Sequence, residues 1–347
     1  MNKLVYILLL SSLMMACSEP SSVEVIQEEK PLFYVPDNFP EPEYDIESKP
    51  VTEAGFELGR KLFYDGRLSR DGTISCAECH SQSYAFTHHG HIISHGIDDK
   101  MGSRNAPAVQ NTAFMNSFFW DGGVFDLDFF SVAPITNPVE MDEEVGNILE
   151  KLKKDNEYPG LFKKAFGTEE ITSTNFLLAL SQFMNGLISA DSKYDKYVRI
   201  EAGGSFSTDE LEGLKIFENK CSSCHGGALF SSGGFRNNGL EPYRRDPDLG
   251  RFIITENPQD SLKFKVPSLR NIGYTAPYMH DGRFSTLDEV LEHYNSGVVM
   301  TSTLDPLLQQ NGQLGIPLST EEKEKLKVFL KTLNDEEFIK NARFAAP

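Results

Sequence analysis

Two short motifs of the same pattern constrain this 347-residue chain more than any other feature. Each motif is a cysteine, two variable residues, a second cysteine and a histidine. Of the five cysteines, only Cys17 lies outside the two motifs. Two thiols one helical turn apart can bond to the two vinyl groups of a porphyrin, while the adjacent imidazole reaches the iron. The pattern therefore predicts two covalently bound c-type haems, held by Cys76, Cys79, His80, Cys221, Cys224 and His225.

Two other interpretations of the cysteine pairs explain less of the sequence. A redox dithiol is expected in a thioredoxin-like arrangement of strands and helices, which the periodicity does not indicate. A single four-thiolate zinc site would leave both histidines unexplained. Because the chain has only 8 histidines, a histidine after both pairs by chance has a probability on the order of one in a thousand or less.

The amino terminus has the pattern of an export signal. An apolar run from Leu4 to Leu10, too short to span a bilayer, is followed by small residues before Cys17. We expect residues 1–17 to be a lipoprotein-type signal peptide, with a lipid on Cys17; plain secretion is the alternative. Residues 18–50 are predicted to be a tether or an arm on the protein surface. The expected location is the periplasmic side of a bacterial envelope, where haem can be attached covalently.

The charge of the chain limits its partners. It has 51 acidic and 33 basic residues and a net charge of −18. This charge disfavours nucleic acid and anionic membranes as partners, and it would attract a small basic electron-donor protein. A surplus of acidic residues also serves solubility alone.

The sequence also repeats itself. A helical segment precedes each motif, and beyond the motifs six residues recur at an offset of about 160 positions. These residues are Pro107, Asn111, Asp121, Gly122, Leu127 and Asp128, matched by Pro267, Asn271, Asp281, Gly282, Leu287 and Asp288. We predict a mostly α-helical protein with long loops, built from two cytochrome c-like haem domains related by internal duplication, residues 51–203 and 204–347.

One position breaks the repeat. Trp120, the only tryptophan, takes the place that His280 has in the second half. A break at aromatic and titratable residues indicates that the two haems have different tasks. Simple packing of the tryptophan is the alternative.

Several longer strings carry a family resemblance. They are Leu58–Asp65, Arg67–Ser69, Arg104–Pro107, Phe119–Gly122, Asn137–Met141, Val266–Asn271 and Ala276–Gly282. In this order they resemble the bacterial di-haem cytochrome c peroxidase family, which includes the methylamine-utilisation maturation enzymes, over residues 53 to 335. The resemblance implies reduction of hydrogen peroxide to water with electrons from a small donor such as cytochrome c or a cupredoxin. The haem on His80 would be the low-potential peroxide site, and electrons would enter at the haem on His225.

The resemblance also implies roles for single residues. Trp120 would lie between the haems on the electron route, and Glu140 matches the family's catalytic glutamate. A carboxylate near peroxide can move the proton that O–O cleavage requires; a surface glutamate at a helix start is the alternative. A calcium ion would bridge the domains, bound by the Asn105 side chain and the carbonyl oxygens of Thr275 and Pro277.

Two positions depart from the family pattern. Many members carry a histidine that caps the resting peroxide haem; here that position holds Ile97 or Asp98, with His95 nearby. We therefore predict a peroxide haem without a tight distal ligand that needs no reductive activation. At the second haem, Tyr294 matches the usual methionine ligand, and Met279 or Met300 are alternatives.

The ligand at the second haem bears on function. Tyrosinate lowers the potential of a haem, whereas methionine raises it. The maturation enzymes, which oxidise tryptophans on a partner protein, share the tyrosine. A maturation-type oxidase acting on a protein is therefore the second candidate, and a simple di-haem electron carrier is the third. The oligomeric state is left open, with a homodimer as one option.

Overall fold

A computed structural model describes residues 31–88, 90–242, 247–310 and 312–347. The predicted signal peptide, Cys17 and the first part of the arm lie outside the described residues. Within those residues the protein is mostly α-helical, as predicted, and its strands are two residues long. Among them, no helix is both long and apolar enough to cross a membrane.

The first half is mostly helical, and the first motif itself forms a short helix. Its helices are α1 (Glu53–Phe63), α2 (Cys76–Cys79), α3 (Leu127–Phe130), α4 (Val132–Thr136), α5 (Val145–Lys153), α6 (Tyr158–Phe166), α7 (Ser173–Gly186) and α8 (Lys193–Val198).

The described part of the second half has fewer helices and two short strand pairs. Its elements are α9 (Thr208–Lys220), α10 (Ser222–His225), β1 (Phe235–Arg236), α11 (Phe252–Thr255), β2 (Phe264–Lys265), α12 (Leu287–Glu292), β3 (Gln309–Gln310), β4 (Gln313–Leu314), α13 (Thr320–Lys331) and α14 (Glu336–Lys340). Strands β1 and β2 pair antiparallel, as do β3 and β4.

The helix before each motif packs tightly on a later helix through a glycine. A Cβ atom at Gly59 of α1 would lie 1.9 Å from the carbonyl oxygen of Ala179 in α7. A Cβ atom at Gly213 of α9 would lie 2.1 Å from the carbonyl oxygen of Lys325 in α13. Only glycine permits backbones to approach this closely. Each haem motif is thus attached to a closely packed helix pair.

The buried apolar residues form two main clusters. One includes Phe56, Phe86 and Phe183 from the first half, and the other includes Phe217 and Phe329 from the second. The carboxyl-terminal segment crosses between them, because Phe338 and Phe344 pack with the first cluster. The predicted pair of haem domains and their boundary stay a prediction, since Leu32–Pro347 forms one compact unit.

Matched positions in the two halves share local backbone geometry. Asn111 and Asn271 have φ values of 54° and 60°, and Gly122 and Gly282 both have a φ of 68°. The bridge between Phe118 and Val124 has a counterpart between Tyr278 and Phe284. These pairs support the internal duplication, which itself stays a prediction.

Part of the predicted arm, residues 32–50, packs along the protein. The hydroxyl of Tyr44 donates to Asp128 over 2.8 Å, and the ring of Phe39 packs edge-on against Phe114 with 5.1 Å between centroids. The Asn38 amide donates to Asp195 over 2.8 Å. In this stretch the chain is a surface arm rather than a free tether.

Candidate haem and peroxide sites

Both motifs place two thiols and an imidazole together. The four motif cysteines are free thiols, and burial raises the pKa of Cys76 and of Cys221 to about 12. Among the described residues, no group of three or more histidine, cysteine or acidic side chains could hold a metal ion. The single zinc site considered above is therefore not supported, and the thiols are available to bond to a porphyrin.

The motif histidines are oriented alike. His80 Nδ1 lies 2.9 Å from the carbonyl oxygen of Phe86, and His225 Nδ1 lies 3.2 Å from that of Phe230. Burial lowers the pKa of both rings, so each is neutral. A neutral imidazole whose Nδ1 donates to a carbonyl has Nε2 free to bind iron. The residues present thus fit two haems.

A cavity of about 710 Å³ adjoins the second motif. It is lined by Cys221, Cys224 and His225 and also by Trp120 and Tyr294. Its volume is in the range of cofactor-binding pockets, roughly 300–1,000 Å³. The cavity is therefore where a haem bonded to the second motif would lie.

The structure separates the three candidates for the sixth ligand of the second haem. Tyr294 lies in a π-helical turn, a feature frequent at functional sites, and lines the cavity. Burial raises the pKa of Tyr294 to about 12. Met279 also lines the cavity, and its sulfur lies 3.5 Å from the Asn238 amide nitrogen. Met300 is 55% exposed and does not line the cavity, which favours Tyr294 or Met279 over this alternative.

Trp120 is fixed in the wall of the same cavity. Its indole N–H donates to the carbonyl oxygen of Asn105 over 2.8 Å, and its own carbonyl accepts from the backbone N–H of Lys265 over 2.7 Å. The three predicted calcium ligands, Asn105, Thr275 and Pro277, line this cavity too. Calcium itself stays a prediction.

His280, the counterpart of Trp120, lies in the wall between this cavity and a second one of about 400 Å³. Its ring stacks on Phe264 with 3.6 Å between centroids. Burial lowers the pKa of His280 to about 4, despite the carboxylates of Asp281 and Asp248 nearby. The two matching positions thus hold a neutral imidazole and an indole, both packed in the interior.

Glu140 acts electrostatically on one thiol of the first motif. Burial raises the pKa of Cys79, a hydrogen bond with Ser94 opposes this, and the negative charge of Glu140 adds to the increase. The amide of Asn137 donates to Glu140 Oε1 over 2.6 Å. Burial raises the pKa of Glu140 above the usual glutamate range, and the Asn137 hydrogen bond opposes this only in part. A half-buried carboxyl of this kind is suited to proton transfer.

The segment expected to hold a distal ligand packs over Glu140. The backbone N–H of Ile97 donates to the Glu140 carbonyl over 2.8 Å, and the Ile97 side chain is fully buried. His95 contacts Asp99 through Nδ1 at 2.5 Å, and Asp98 forms ion pairs with Arg70 and Lys100. The residue that packs beside Glu140 is thus an isoleucine, which cannot bind iron.

Sequence reasoning missed several residues of the cavity. Lys265, Asn238 and Arg236 line it, yet each lies in a segment without a functional motif. Arg270 belongs to a family string, but nothing in the string shows that its side chain is fully buried against Asp195. The only sequence feature that could have indicated these residues was their proximity to the family strings quoted above.

Comparisons with known proteins agree with this geometry. The sequence model described as "Di-haem cytochrome c peroxidase" matches residues 53–203. Cytochrome c551 peroxidase of Nitrosomonas europaea is 36% identical over 287 residues, which is 81% of this chain and 80% of that protein. The chain belongs to the di-haem cytochrome c peroxidase family.

Other members of the di-haem cytochrome c peroxidase family match over most of their length. Methylamine utilization protein MauG of Methylophilus methylotrophus is 30% identical, with 95% of each chain covered. Among solved structures, the crystal structure of a MauG-like protein associated with microbial copper homeostasis superposes with a TM-score of 0.81. The two sequences are 33% identical, and the match covers 90% of this chain and 98% of that one. Family membership thus extends to both halves of the chain and implies two haem c groups.

Proposed function

We propose that this protein is a peroxidase that reduces hydrogen peroxide to water at the haem on His80, with electrons that a small donor protein delivers to the haem on His225. The observation that carries the proposal is Glu140, a half-buried carboxyl of raised pKa whose charge acts on the Cys79 thiol of the first motif. A carrier that only passes electrons has no use for such an acid. The family membership and the two haem-compatible motifs support the same conclusion.

When bound, haem supplies the iron and the electron chemistry of peroxide reduction. The chain supplies position and proton transfer. Asn137 holds Glu140 Oε1, which leaves Oε2 to take a proton from one peroxide oxygen and return it to the other. Ile97 contributes an apolar side chain where a histidine would compete with peroxide. Each peroxide consumes two electrons and two protons and yields two waters.

Trp120 is the residue proposed to pass electrons between the two haem sites. It lines the cavity of the second motif and is held at both its indole N–H and its carbonyl. We therefore propose that electrons pass from the haem on His225 towards the haem on His80 by way of Trp120. The net charge of −18 favours a basic donor such as a small cytochrome c; a cupredoxin is the other class.

The proposal is tested with the purified holoprotein and a reduced soluble cytochrome c. We expect oxidation of the cytochrome on addition of peroxide, with two cytochromes oxidised for each peroxide. Stopped turnover after the first equivalents of peroxide, with the bound haems oxidised and the soluble cytochrome still reduced, would contradict it.

One observation favours a second function. The cavity places a buried Tyr294 beside the second motif, and tyrosine here is what the chain shares with the maturation enzymes. If Tyr294 binds the iron, peroxide could instead drive oxidation of aromatic side chains on a partner protein. Peroxide-dependent loss of tryptophan fluorescence from an added protein, without consumption of cytochrome c, would support this second function.

The spin state of the first haem is a specific prediction. Because Ile97 takes the place of a capping histidine and His95 is held by Asp99, we expect the diferric protein as isolated to contain a high-spin haem. Electron paramagnetic resonance measures this directly. A spectrum with low-spin haem only would mean that another side chain binds the iron and that reductive activation is needed.

The ligand at the second haem gives another prediction. Replacing Tyr294 with phenylalanine removes the hydroxyl, and we expect the potential of one haem to rise by at least ~59 mV, a tenfold change for one electron. Tyr278→Phe is the matched control, because Tyr278 lines the same cavity but donates its hydroxyl to the Ile272 carbonyl. A redox titration followed by visible spectra measures both variants. Equal potentials in Tyr294→Phe and the unmodified protein would exclude Tyr294 as a ligand and leave Met279.

The remaining expectations are part of the proposal. We propose that Cys17 carries the lipid that anchors the protein on the periplasmic side of the envelope, and that calcium binds at Asn105, Thr275 and Pro277. Release of a Cys17→Ala variant from the membrane fraction tests the anchor. A reversible loss of turnover on calcium chelation tests the ion.

A further inference from the structure

Lys265 is a partly buried cation in the wall of the second haem cavity. It ends strand β2, and its backbone N–H holds the carbonyl of Trp120. Its side chain lines the cavity, and burial lowers the pKa of its ammonium group to about 8. The ammonium nitrogen lies 3.6 Å from the sulfur of Met115, which is a weak acceptor.

The charge of Lys265 lacks a protein counter-ion. Within the described ranges, no carboxylate forms an ion pair with it, and desolvation is the one cause that acts on its pKa. The neighbouring Lys263 differs, because it pairs with Asp260 over 3.3 Å. A buried ammonium group is costly unless something neutralises it. The cavity beside Lys265 is therefore expected to receive an anionic group.

The haem that the second motif would hold carries such groups. Its two propionates are carboxylates, and they lie on the edge of the porphyrin opposite the vinyl groups that bond to Cys221 and Cys224. The cavity is lined by both cysteines and by Lys265, so it offers partners to the vinyl groups and to the propionates.

We propose that Lys265 binds a propionate of the haem attached to Cys221 and Cys224, and that this ion pair positions the haem and raises its reduction potential. The inference rests on the proposed haem binding at this motif and adds a positioning residue to it. The ferric haem carries one more positive charge than the ferrous haem. A nearby ammonium group therefore disfavours the ferric form, more strongly in a cavity of low dielectric constant than in water.

The pair also connects the haem edge to Trp120. Lys265 is fixed through its own backbone to the Trp120 carbonyl, so a propionate held by Lys265 is held next to the segment that carries the tryptophan. An electron that leaves this haem towards Trp120 would do so from an edge that Lys265 keeps in place.

The experiment is a redox titration of the holoprotein and three variants, with haem content measured for each. In Lys265→Met we expect the reduction equilibrium of one haem to shift at least tenfold towards the ferric form, which is about 59 mV for one electron. Lys265→Arg keeps the charge and should retain the unmodified potential. Lys263→Met is the matched control, since it removes a lysine charge two residues away that already has a protein partner.

The outcomes distinguish failure of the Lys265–propionate pair from failure of haem binding at this motif. An unchanged potential in haem-replete Lys265→Met overturns the pairing, and so does an equal shift in Lys263→Met or Lys265→Arg. Loss of one haem in Lys265→Met but not in Lys265→Arg supports it, because the charge is then needed to hold the haem. Absence of a haem from the unmodified protein would overturn the proposed function together with the pairing.

Discussion

Replacing Glu140 with glutamine should lower peroxide turnover by about 10²- to 10⁴-fold while both haems stay attached. Glutamine has nearly the same shape, and its amide oxygen can accept the hydrogen bond from Asn137, but it cannot take a proton from peroxide. The measurement is the rate of peroxide-dependent oxidation of cytochrome c. Glu144→Gln is the control, because Glu144 is exposed and lies only four positions after Glu140, just before α5. This variant should leave the rate unchanged.

The same carboxyl predicts a pH dependence. Burial raises the pKa of Glu140, so the unprotonated form that accepts a proton is lost at a higher pH than for an ordinary glutamate. Turnover of the unmodified protein should therefore fall as the pH decreases through that pKa. In Glu140→Gln this acidic limb should be absent. Full turnover in Glu140→Gln at every pH would favour the simple electron carrier.

Replacing Arg270 with methionine should destabilise the protein by about 3–5 kcal/mol. Arg270 is 1% exposed and forms two hydrogen bonds with Asp195, of 2.8 and 2.7 Å, and a third with the carbonyl of Ala228. Its guanidinium group also lies 4.4 Å from the centre of the Phe39 ring. Methionine would leave the Asp195 carboxylate buried without its partner. Denaturant unfolding of the holoprotein measures the loss.

A surface pair provides the control for Arg270. Lys340 and Glu336 are 68% and 71% exposed and lie 3.0 Å apart, so Lys340→Met should leave the stability nearly unchanged. Equal effects of the two variants would show that the Arg270 pair adds nothing to stability.

The ion pair of Arg270 and Asp195 also predicts how the stability changes at acidic pH. Burial alone would raise the pKa of Asp195, but the guanidinium of Arg270 outweighs it and holds the pKa below the usual range. A carboxyl with a lowered folded-state pKa stabilises the protein above its unfolded pKa, about 3.9. That contribution is lost as the pH falls through the folded-state value. The difference in free energy of unfolding between Asp195→Asn and the unmodified protein should therefore become smaller in this acidic range.

The haem motifs could be predicted from sequence because their chemistry fixes the spacing of thiols and imidazole. His80 and His225 are oriented as that chemistry requires, each by a carbonyl only five or six residues away. The capping box of Ser207 and Glu210 at the start of α9 is a local signal of the same kind. Local chemistry and local caps are both written in short stretches of sequence.

Other features depend on contacts between distant segments. Lys265 is buried against Met115, which is 150 positions away, so no neighbouring residue marks it as an interior cation. Phe338 of the second predicted domain packs on Phe86 of the first, which the predicted boundary at residue 204 did not anticipate. Met300 was an alternative to Tyr294 as a haem ligand, yet its side chain is 55% exposed. Such outcomes follow from tertiary packing, which residue spacing does not record.

The most direct test of the account is the mass of the intact purified protein under denaturing conditions. Covalent attachment at Cys76, Cys79, Cys221 and Cys224 predicts the mass of the polypeptide plus two haems, with one haem lost from a Cys221→Ala, Cys224→Ala double variant. A polypeptide that weighs only what its amino acids and any lipid account for would contradict the assignment of both sites.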